Sequence, residues 1–189
     1  MQGFAFPAAF GAGPTRLGSY RDQVDYSNFQ VGVELVTWDN SLNQAFGLLL
    51  RANSLFLGGT EGYTATYDNS SGDLQINRVL SEAPSELGAT VYLLDPASEP
   101  YRLVAEGYNS LMVARIFRSS DPNTPIMGVI ANDATYANGK CGMFTYDDGP
   151  AADMTPGCDT TFDNYAATAP ANYPCMVTEL FPRPFSISA

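Results

Sequence analysis

The feature that most constrains this chain is an alternation of apolar and polar residues with a period of two. It is clearest over residues 29–38, where every second side chain is apolar: Phe29, Val31, Val33 and Leu35. Such alternation is typical of a β-strand that buries one face and exposes the other. The sequence therefore predicts a strand here with these four side chains in a core.

The same pattern recurs along most of the chain. It predicts further strands over residues 44–52, 62–67, 73–80, 101–106, 111–118, 126–130, 142–146 and 160–166. Clusters of Gly, Asn, Asp and Ser separate them, and residues 68–72 between two strands predict a hairpin. Helical periodicity is nearly absent, and only residues 81–88 fit a single helical turn. Many short strands with frequent turns predict an all-β, two-sheet antiparallel β-sandwich of the jelly-roll kind.

The length of 189 residues fits one β-sandwich domain. We expect an irregular lead-in over residues 1–14, which are rich in Gly, Ala, Pro and Phe. The jelly roll should span residues 15–168, followed by a C-terminal extension or linker over residues 169–189. No apolar run reaches the roughly 18 residues that cross a bilayer, so the sequence predicts no membrane insertion.

Charge and composition exclude several functional classes. The 20 acidic and 9 basic residues give a net charge of −11, which argues against nucleic acid and anionic membrane surfaces as partners. Histidine is absent and Lys140 is the single lysine. The commonest general base and the commonest transition-metal ligand are therefore missing. Ser-His-Asp and Cys-His catalysis and the usual zinc hydrolysis are excluded in their ordinary forms.

Three cysteines lie in the last third of the chain: Cys141, Cys158 and Cys175. Their wide spacing contains no CxxC pair, so a zinc site is not favoured. One disulfide formed in an oxidising compartment is favoured instead, which predicts a secreted or cell-surface protein. The pairings Cys141–Cys158 and Cys158–Cys175, and a fully reduced set, remain open.

The strand order over residues 15–168 resembles that of laminin-G-like or concanavalin A-like jelly-roll domains in bacterial cell-surface and secreted carbohydrate-active proteins. The stretches that carry the resemblance are residues 29–39 with 44–51, 101–104 with 111–117, 133–142 and 159–165. The resemblance implies glycan binding or adhesion. The Glu-x-Asp-x-Glu strand of related β-glucanases and the Gln-Ile-His strand of alginate lyases are missing, so it does not imply catalysis.

A polar row is the predicted binding surface. Five side chains fall at non-core positions of the predicted strands and would form one polar concave face: Glu34, Arg51, Gln75, Asn77 and Arg102. Guanidinium and amide groups match sugar hydroxyls. Aromatic rings for stacking on sugars would come from Trp38, Tyr63 and Tyr67. The alternative is a solvated face with cross-strand ion pairs, such as Glu34 with Arg51, and tyrosines packed as ordinary strand residues.

Calcium is the predicted cofactor. Loop carboxylates offer the hard oxygen ligands that Ca²⁺ prefers. Residues 68–73 lack the downstream Glu of an EF-hand, so an Asx turn is favoured there. The resemblance implies a structural Ca²⁺ with Asp163 of the closing strand as its first ligand.

Three functions remain open on the sequence alone. The first is an extracellular module that binds a polysaccharide or glycan. The second is a polysaccharide hydrolase or lyase that uses Glu34 with Asp163, or Tyr67 with Arg51. The third is a structural subunit that packs on neighbouring domains or copies of itself through apolar ends: Phe4, Phe6, Phe10, Leu180 and Phe181.

Overall fold

The computed structural model describes residues 2–6, 16–55, 59–147 and 158–169, and within these ranges every regular element is a β-strand. No helix long and apolar enough to cross a membrane occurs in this part of the chain. The strands are β1 (Gln2–Phe6), β2 (Arg16–Tyr20), β3 (Phe29–Thr37), β4 (Gln44–Asn53), β5 (Glu61–Asp68), β6 (Asp73–Leu80), β7 (Ala83–Val91), β8 (Tyr101–Tyr108), β9 (Leu111–Arg118), β10 (Asp121–Asn132), β11 (Lys140–Asp147) and β12 (Thr161–Thr168).

The strands form two antiparallel sheets. The larger has seven strands in the order β1-β2-β11-β4-β5-β6-β7, and the smaller has five in the order β10-β9-β8-β3-β12. Consecutive strands pair as hairpins within β4–β5–β6–β7 and within β8–β9–β10. Long connections place β11 beside β4 and β3 between β8 and β12. The predicted two-sheet antiparallel β-sandwich is confirmed.

The core lies between the sheets and is filled by the alternate positions that the sequence predicted. Phe29, Val31, Val33 and Leu35 of β3 are all 0% exposed. Opposing side chains from the seven-stranded sheet include Phe46, Leu48, Leu50, Ala65, Leu74 and Ile76. Burying large apolar side chains contributes about 1.5–3 kcal/mol each, so this layer holds the two sheets together.

The hairpin predicted at residues 68–72 is confirmed. Asp68 accepts hydrogen bonds from the N–H of Ser70 at 2.8 Å and from its hydroxyl at 2.7 Å. The N–H of Gly72 donates to the carbonyl of Asp68 at 2.9 Å. Gly72 has a φ of 76°, a conformation that glycine adopts without steric cost. This turn fixes the register of β5 against β6.

Two predictions about local structure are wrong. Residues 81–88 do not form a helical turn, because most of this segment belongs to strand β7, which pairs with β6. The lead-in over residues 1–14 is not wholly irregular, because β1 pairs with β2 along its whole length. Both segments are strands because each pairs with a neighbouring strand. The local sequence pattern does not show this pairing.

Strand β7 ends one side of the seven-stranded sheet and contains a register shift opposite Ile76 and Asn77. Asn77 pairs with Glu86 and Ile76 with Gly88, so Leu87 is the extra residue of a β-bulge. Leu87 packs against the core. The bulge allows Leu87 to face inward while Glu86 faces the outer side of the sheet.

The predicted disulfide between Cys141 and Cys158 is wrong, since both residues are free thiols, and the same finding opposes the pairing of Cys158 with Cys175. Cys141 points into the core and is 0% exposed. Burial raises the pKa of its thiol to about 12. Cys175 lies outside the described residues.

Candidate functional site

The outer face of the seven-stranded sheet presents side chains in rows that run across the strands. One row joins Leu49, Thr64, Asn77 and Glu86, which are paired in register on β4, β5, β6 and β7. The next joins Phe144, Gly47, Thr66 and Gln75 on β11, β4, β5 and β6. Each of these residues alternates with core positions and therefore points away from the core.

A groove of about 370 Å³ lies on this face. Its floor and walls come from five adjacent strands and from the turn between β6 and β7. The lining residues are Ala45, Leu49, Ala52, Thr60, Glu61, Gly62, Tyr63, Thr64, Thr66, Asp68, Gln75, Asn77, Val79, Glu82, Pro84, Glu86, Phe144 and Tyr146. Along β5 the groove extends from Thr60 to Asp68, a length of roughly 26 Å at 3.3 Å per residue. An extended oligomer fits such a shape better than a single compact ligand.

Hydroxyl and amide groups form the centre of the groove floor. Thr66 donates its hydroxyl to the hydroxyl of Thr64 at 3.0 Å. Asn77 donates its side-chain N–H to the amide oxygen of Gln75 at 3.2 Å. Thr64 is 7% exposed and Asn77 is 6% exposed. These pairs orient one another, so the floor presents fixed donors and acceptors to a ligand.

The two long sides of the groove differ in chemistry. Phe144 and Tyr146 line the β11 side, where Phe144 lies beside Gly47, a position without a side chain. Carboxylates line the β7 side and both ends of β5: Glu61, Asp68, Glu82 and Glu86. One side therefore offers aromatic rings and the other offers hydrogen-bond acceptors.

Of the predicted site residues, Gln75 and Asn77 lie together on this groove floor. The sequence reasoning missed Thr64, Thr66, Phe144, Tyr146 and the rim carboxylates. The alternation already placed Thr64 and Thr66 on the polar side of β5. Nothing in the sequence showed that β11 pairs with β4, so the aromatic side of the groove was not predictable.

Arg51 does not belong to a polar face, and this expectation is wrong. The side chain is 1% exposed. Its Nε donates to the carbonyl of Ser27 at 2.8 Å and its Nη1 donates to the carbonyl of Tyr136 at 3.2 Å. The guanidinium lies 5.4 Å from the centre of the Phe29 ring, and burial lowers its pKa. Arg51 is a structural residue of the interior.

The cause is a β-bulge in β4. The pairing of β4 shifts register between Leu49 and Ala52 on the β11 side, and between Leu50 and Asn53 on the β5 side. Arg51 has a φ of 47°, in the left-handed region that a non-glycine residue seldom adopts. Leu50 and Arg51 both face inward, and Ala52 lines the groove. The inserted residue reverses the alternation beyond it.

Glu34 and Arg102 lie on the opposite side of the molecule from Gln75 and Asn77. They are paired in register on β3 and β8 of the five-stranded sheet. Glu34 accepts a hydrogen bond from the side chain of Asn164 at 2.7 Å. The expectation of one shared polar row is therefore wrong, because the five positions divide among two outer faces and the interior.

The three aromatic residues predicted to stack on sugars are buried. Trp38 is 3% exposed and contacts the rings of Phe46, Tyr67 and Tyr101 with centroid separations of 5.1, 6.2 and 5.9 Å. Tyr63 borders the groove but is 0% exposed. Tyr63 and Tyr67 are therefore packed as ordinary strand residues, as the alternative predicted. None of the three side chains has a free ring face for a sugar.

Buried polar networks explain why the two tyrosines are inside. Tyr63 donates its hydroxyl to a carboxylate oxygen of Asp133 at 2.7 Å and accepts the N–H of Tyr136 at 3.0 Å. Tyr67 accepts the N–H of Leu94 at 2.9 Å. Burial raises the pKa of each tyrosine to about 12. Partial burial acts to raise the pKa of Asp133, but hydrogen bonds from Thr135 and Tyr63 and the nearby Arg78 hold it below its usual value.

Asp163 is exposed on β12, directly opposite Glu34 in register. Its carboxylate accepts the N–H of Asn164 at 2.7 Å. Within the described ranges no three acidic or cysteine side chains gather where they could hold a metal, and Ca²⁺ takes six to eight oxygens. Because Ca²⁺ also takes backbone carbonyl oxygens as ligands, a calcium site at Asp163 stays a prediction. Two further acidic residues that could ligate Ca²⁺, Asp148 and Asp153, lie outside the described residues.

Comparisons with known proteins agree on the fold. No protein-family model and no curated protein sequence matches this chain. The carbohydrate-binding module CBM66 from Bacillus subtilis is similar in structure, with a TM-score of 0.62 and 16% identity over 89% of this chain and 92% of that one.

The exoplasmic/lumenal domain of VIP36 is similar in two forms. The form bound to Ca²⁺ and Man2 has a TM-score of 0.62 and 10% identity over 95% of this chain and 84% of that one. The form bound to Ca²⁺ and Man3GlcNAc has a TM-score of 0.61 and 8% identity over 95% of this chain and 88% of that one. At these identities the likeness shows the fold alone: the chain is a concanavalin-like jelly-roll β-sandwich.

Proposed function

We propose that this protein is an extracellular carbohydrate-binding module that holds a glycan in the groove on the outer face of the seven-stranded sheet. The observation that carries the proposal is the groove floor of hydroxyl and amide groups at Thr64, Thr66, Gln75 and Asn77. These groups supply the paired donors and acceptors that sugar hydroxyls require.

The aromatic side of the groove supports the same ligand class. Sugar rings have apolar faces, and Phe144 and Tyr146 offer ring surface beside the polar floor. The similar structures also favour it, since one is a carbohydrate-binding module and the other is bound to a mannose sugar. A role at the cell surface or in the secreted medium, and an origin in a bacterial surface protein, are part of this proposal.

The decisive test compares glycan binding by groove variants and by a variant of the opposite face. Wild-type protein would be screened on a glycan array and by affinity gels containing polysaccharides. Asn77→Ala and Tyr146→Ala should weaken binding about tenfold or more, because each removes a direct ligand contact. Arg102→Ala is the matched control, since Arg102 is exposed on the five-stranded sheet, and it should bind as wild type does.

Each variant would first be shown to fold by its circular dichroism spectrum and its unfolding midpoint. Equal retention of all variants on a bound polysaccharide would place the site elsewhere. Absence of binding to every glycan would overturn the proposed function. Release of reducing ends or of unsaturated products from the bound polysaccharide would favour the hydrolase or lyase alternative instead.

Calcium remains a proposed cofactor, supported by the Ca²⁺ bound in both VIP36 forms. Thermal unfolding in the presence of Ca²⁺ and of EDTA tests it directly. A structural ion should raise the unfolding midpoint with concentration, because a ligand that binds only the native state stabilises that state.

A further inference from the structure

The rim of the groove, meaning its four carboxylates at Glu61, Asp68, Glu82 and Glu86, is negatively charged. Glu61 begins β5, Asp68 ends it, and Glu86 lies on β7 in register with Asn77 of the floor. Glu82 lines the groove as well. Among the described lining residues there is no lysine or arginine.

Six of the described basic side chains do not line the groove. Four of them form ion pairs away from the groove: Arg78 with Asp133, Arg115 with Glu106, Arg118 with Glu99 and Lys140 with Asp25. Arg51 is enclosed in the interior and Arg102 lies on the five-stranded sheet. Arg16 of β2 pairs in register with Tyr146 on the β11 side, whereas the charged lining residues at the β7 side and at the ends of β5 are all carboxylates. A cleft wall lined by one sign of charge concentrates the opposite sign.

We propose that the groove selects glycans that carry free amino groups, such as oligomers of glucosamine, over uncharged chains of the same backbone, and that it rejects glycans with uronate or sulfate groups. This inference rests on the proposed function and adds the chemical class of the ligand. Ammonium groups donate to the rim carboxylates while the sugar hydroxyls pair with the floor. Phe144 and Tyr146 contact the ring faces.

The first test compares matched oligosaccharides by isothermal titration calorimetry. Hexamers of glucosamine and of N-acetylglucosamine share one backbone and differ in charge, and hexamers of galacturonate carry the opposite charge. We expect the glucosamine hexamer to bind about tenfold more tightly than its acetylated form at low ionic strength, from roughly two close charge pairs. The advantage should shrink when NaCl is raised to about 0.3 M, because salt screens exposed charges. The galacturonate hexamer should not bind.

The second test removes charge from the rim without changing its shape. The double variant Glu61→Gln and Glu86→Gln should bind the glucosamine hexamer about tenfold more weakly than wild type, and its affinity for the N-acetylglucosamine hexamer should fall much less. The matched control is Glu34→Gln, which removes a carboxylate from the five-stranded sheet and should leave both affinities unchanged.

The outcomes separate this inference from the proposed function. Binding of an uncharged glycan in the groove, with no preference for its amino-bearing form and no effect of the double variant, would overturn the inference and leave the proposed function intact. Tight binding of the galacturonate hexamer would overturn it in the same way. Failure of every glycan to bind would overturn both.

Discussion

Arg51 shows how a single residue can reverse the interpretation of a strand. Two glycines flank the bulge that turns this side chain inward. A Cβ at Gly139 would lie 2.4 Å from the carbonyl carbon of Arg51, and a Cβ at Gly62 would lie 2.6 Å from the Cα of Ala52. Because neighbouring backbone approaches this closely on both sides, the bulge needs glycine at both positions.

We expect Arg51→Ala to reduce the free energy of unfolding by about 2–4 kcal/mol, because it leaves two buried carbonyls without donors and opens a cavity. Urea unfolding would measure the loss. Affinity for any glycan bound in the groove should remain within about twofold of wild type. The matched control, Arg102→Ala on an exposed position, should change stability by less than about 0.5 kcal/mol. Loss of glycan affinity at unchanged stability would contradict the structural role.

The side-chain alternation predicted most of the core correctly and failed where the local geometry depends on a distant partner. Alternate residues of β3 face inward as expected: Phe29, Val31, Val33 and Leu35. Thr64 and Thr66 fall on the outer side of β5. The bulge at Arg51 depends on pairing with β11, whose residues lie far along the chain. The sequence shows Gly62 and Gly139, but it does not show that the backbone of β4 approaches them closely.

At the scale of elements, one buried side chain connects β4 to the start of β12. Gln44 is 0% exposed and donates to the carboxylate of Asp159 at 2.7 Å. Its amide oxygen accepts the N–H of Asp159 at 3.1 Å and the hydroxyl of Thr160 at 2.7 Å. The Asp159 carboxylate also accepts the N–H of Asp39 at 2.9 Å. This network joins the seven-stranded sheet to the edge of the five-stranded one.

Gln44→Ala should loosen β12 before it affects the rest of the sandwich. Amide hydrogens of β12 should exchange faster by about tenfold or more, because Asp159 and Thr160 lose the acceptor and donor that hold them. Exchange measured by mass spectrometry would resolve the strands. Gln23→Ala, at an exposed position in the turn after β2, serves as the control. Uniform acceleration across all strands would show that the network acts globally and not on β12.

The bounds of the strands were easier to predict from the sequence than the pairing of one strand with another. The strands from β3 to β6, β8 and β9 have nearly the predicted bounds because each alternates cleanly. β7 was mistaken for a helical turn, since Pro84, Glu86 and the bulge at Leu87 interrupt its alternation. The groove could be predicted only in part. Gln75 and Asn77 lie in one hairpin, whereas Phe144 joins them through the order of strands in the sheet.

Across the whole molecule, buried phenol and thiol groups make stability sensitive to alkaline pH. The pKa of Tyr63 and that of Tyr67 rise from 10.0 to about 12 on folding, and the pKa of Cys141 rises from 9.0 to about 12. Above its ordinary pKa each group loses its proton in the unfolded chain first. The unfolded state then binds fewer protons than the native state, so stability falls as pH rises.

The free energy of unfolding should therefore decline from about pH 9, more steeply between about pH 10 and 12. Urea unfolding at a series of pH values would measure the slope. The double variant Tyr63→Phe and Tyr67→Phe should show a shallower decline in the upper part of that window, even though it starts from a lower stability. Tyr108→Phe, at a residue that is 42% exposed, serves as the control for removing a phenol hydroxyl outside the core. An unchanged slope in the double variant would contradict the conclusion that Tyr63 and Tyr67 cause this part of the decline.

Strand β7 has a consequence for self-association. A free sheet edge is a template on which a second chain can add a strand, and proteins interrupt such edges with proline, charge and bulges. β7 has all three, in Pro84, Glu86 and the bulge at Leu87. Glu86 is therefore expected to oppose the addition of a second chain at this edge, and it also places a negative charge at the groove. Replacing Glu86 with an apolar residue should therefore promote polymerisation through this edge and should also weaken the proposed preference for glycans with amino groups.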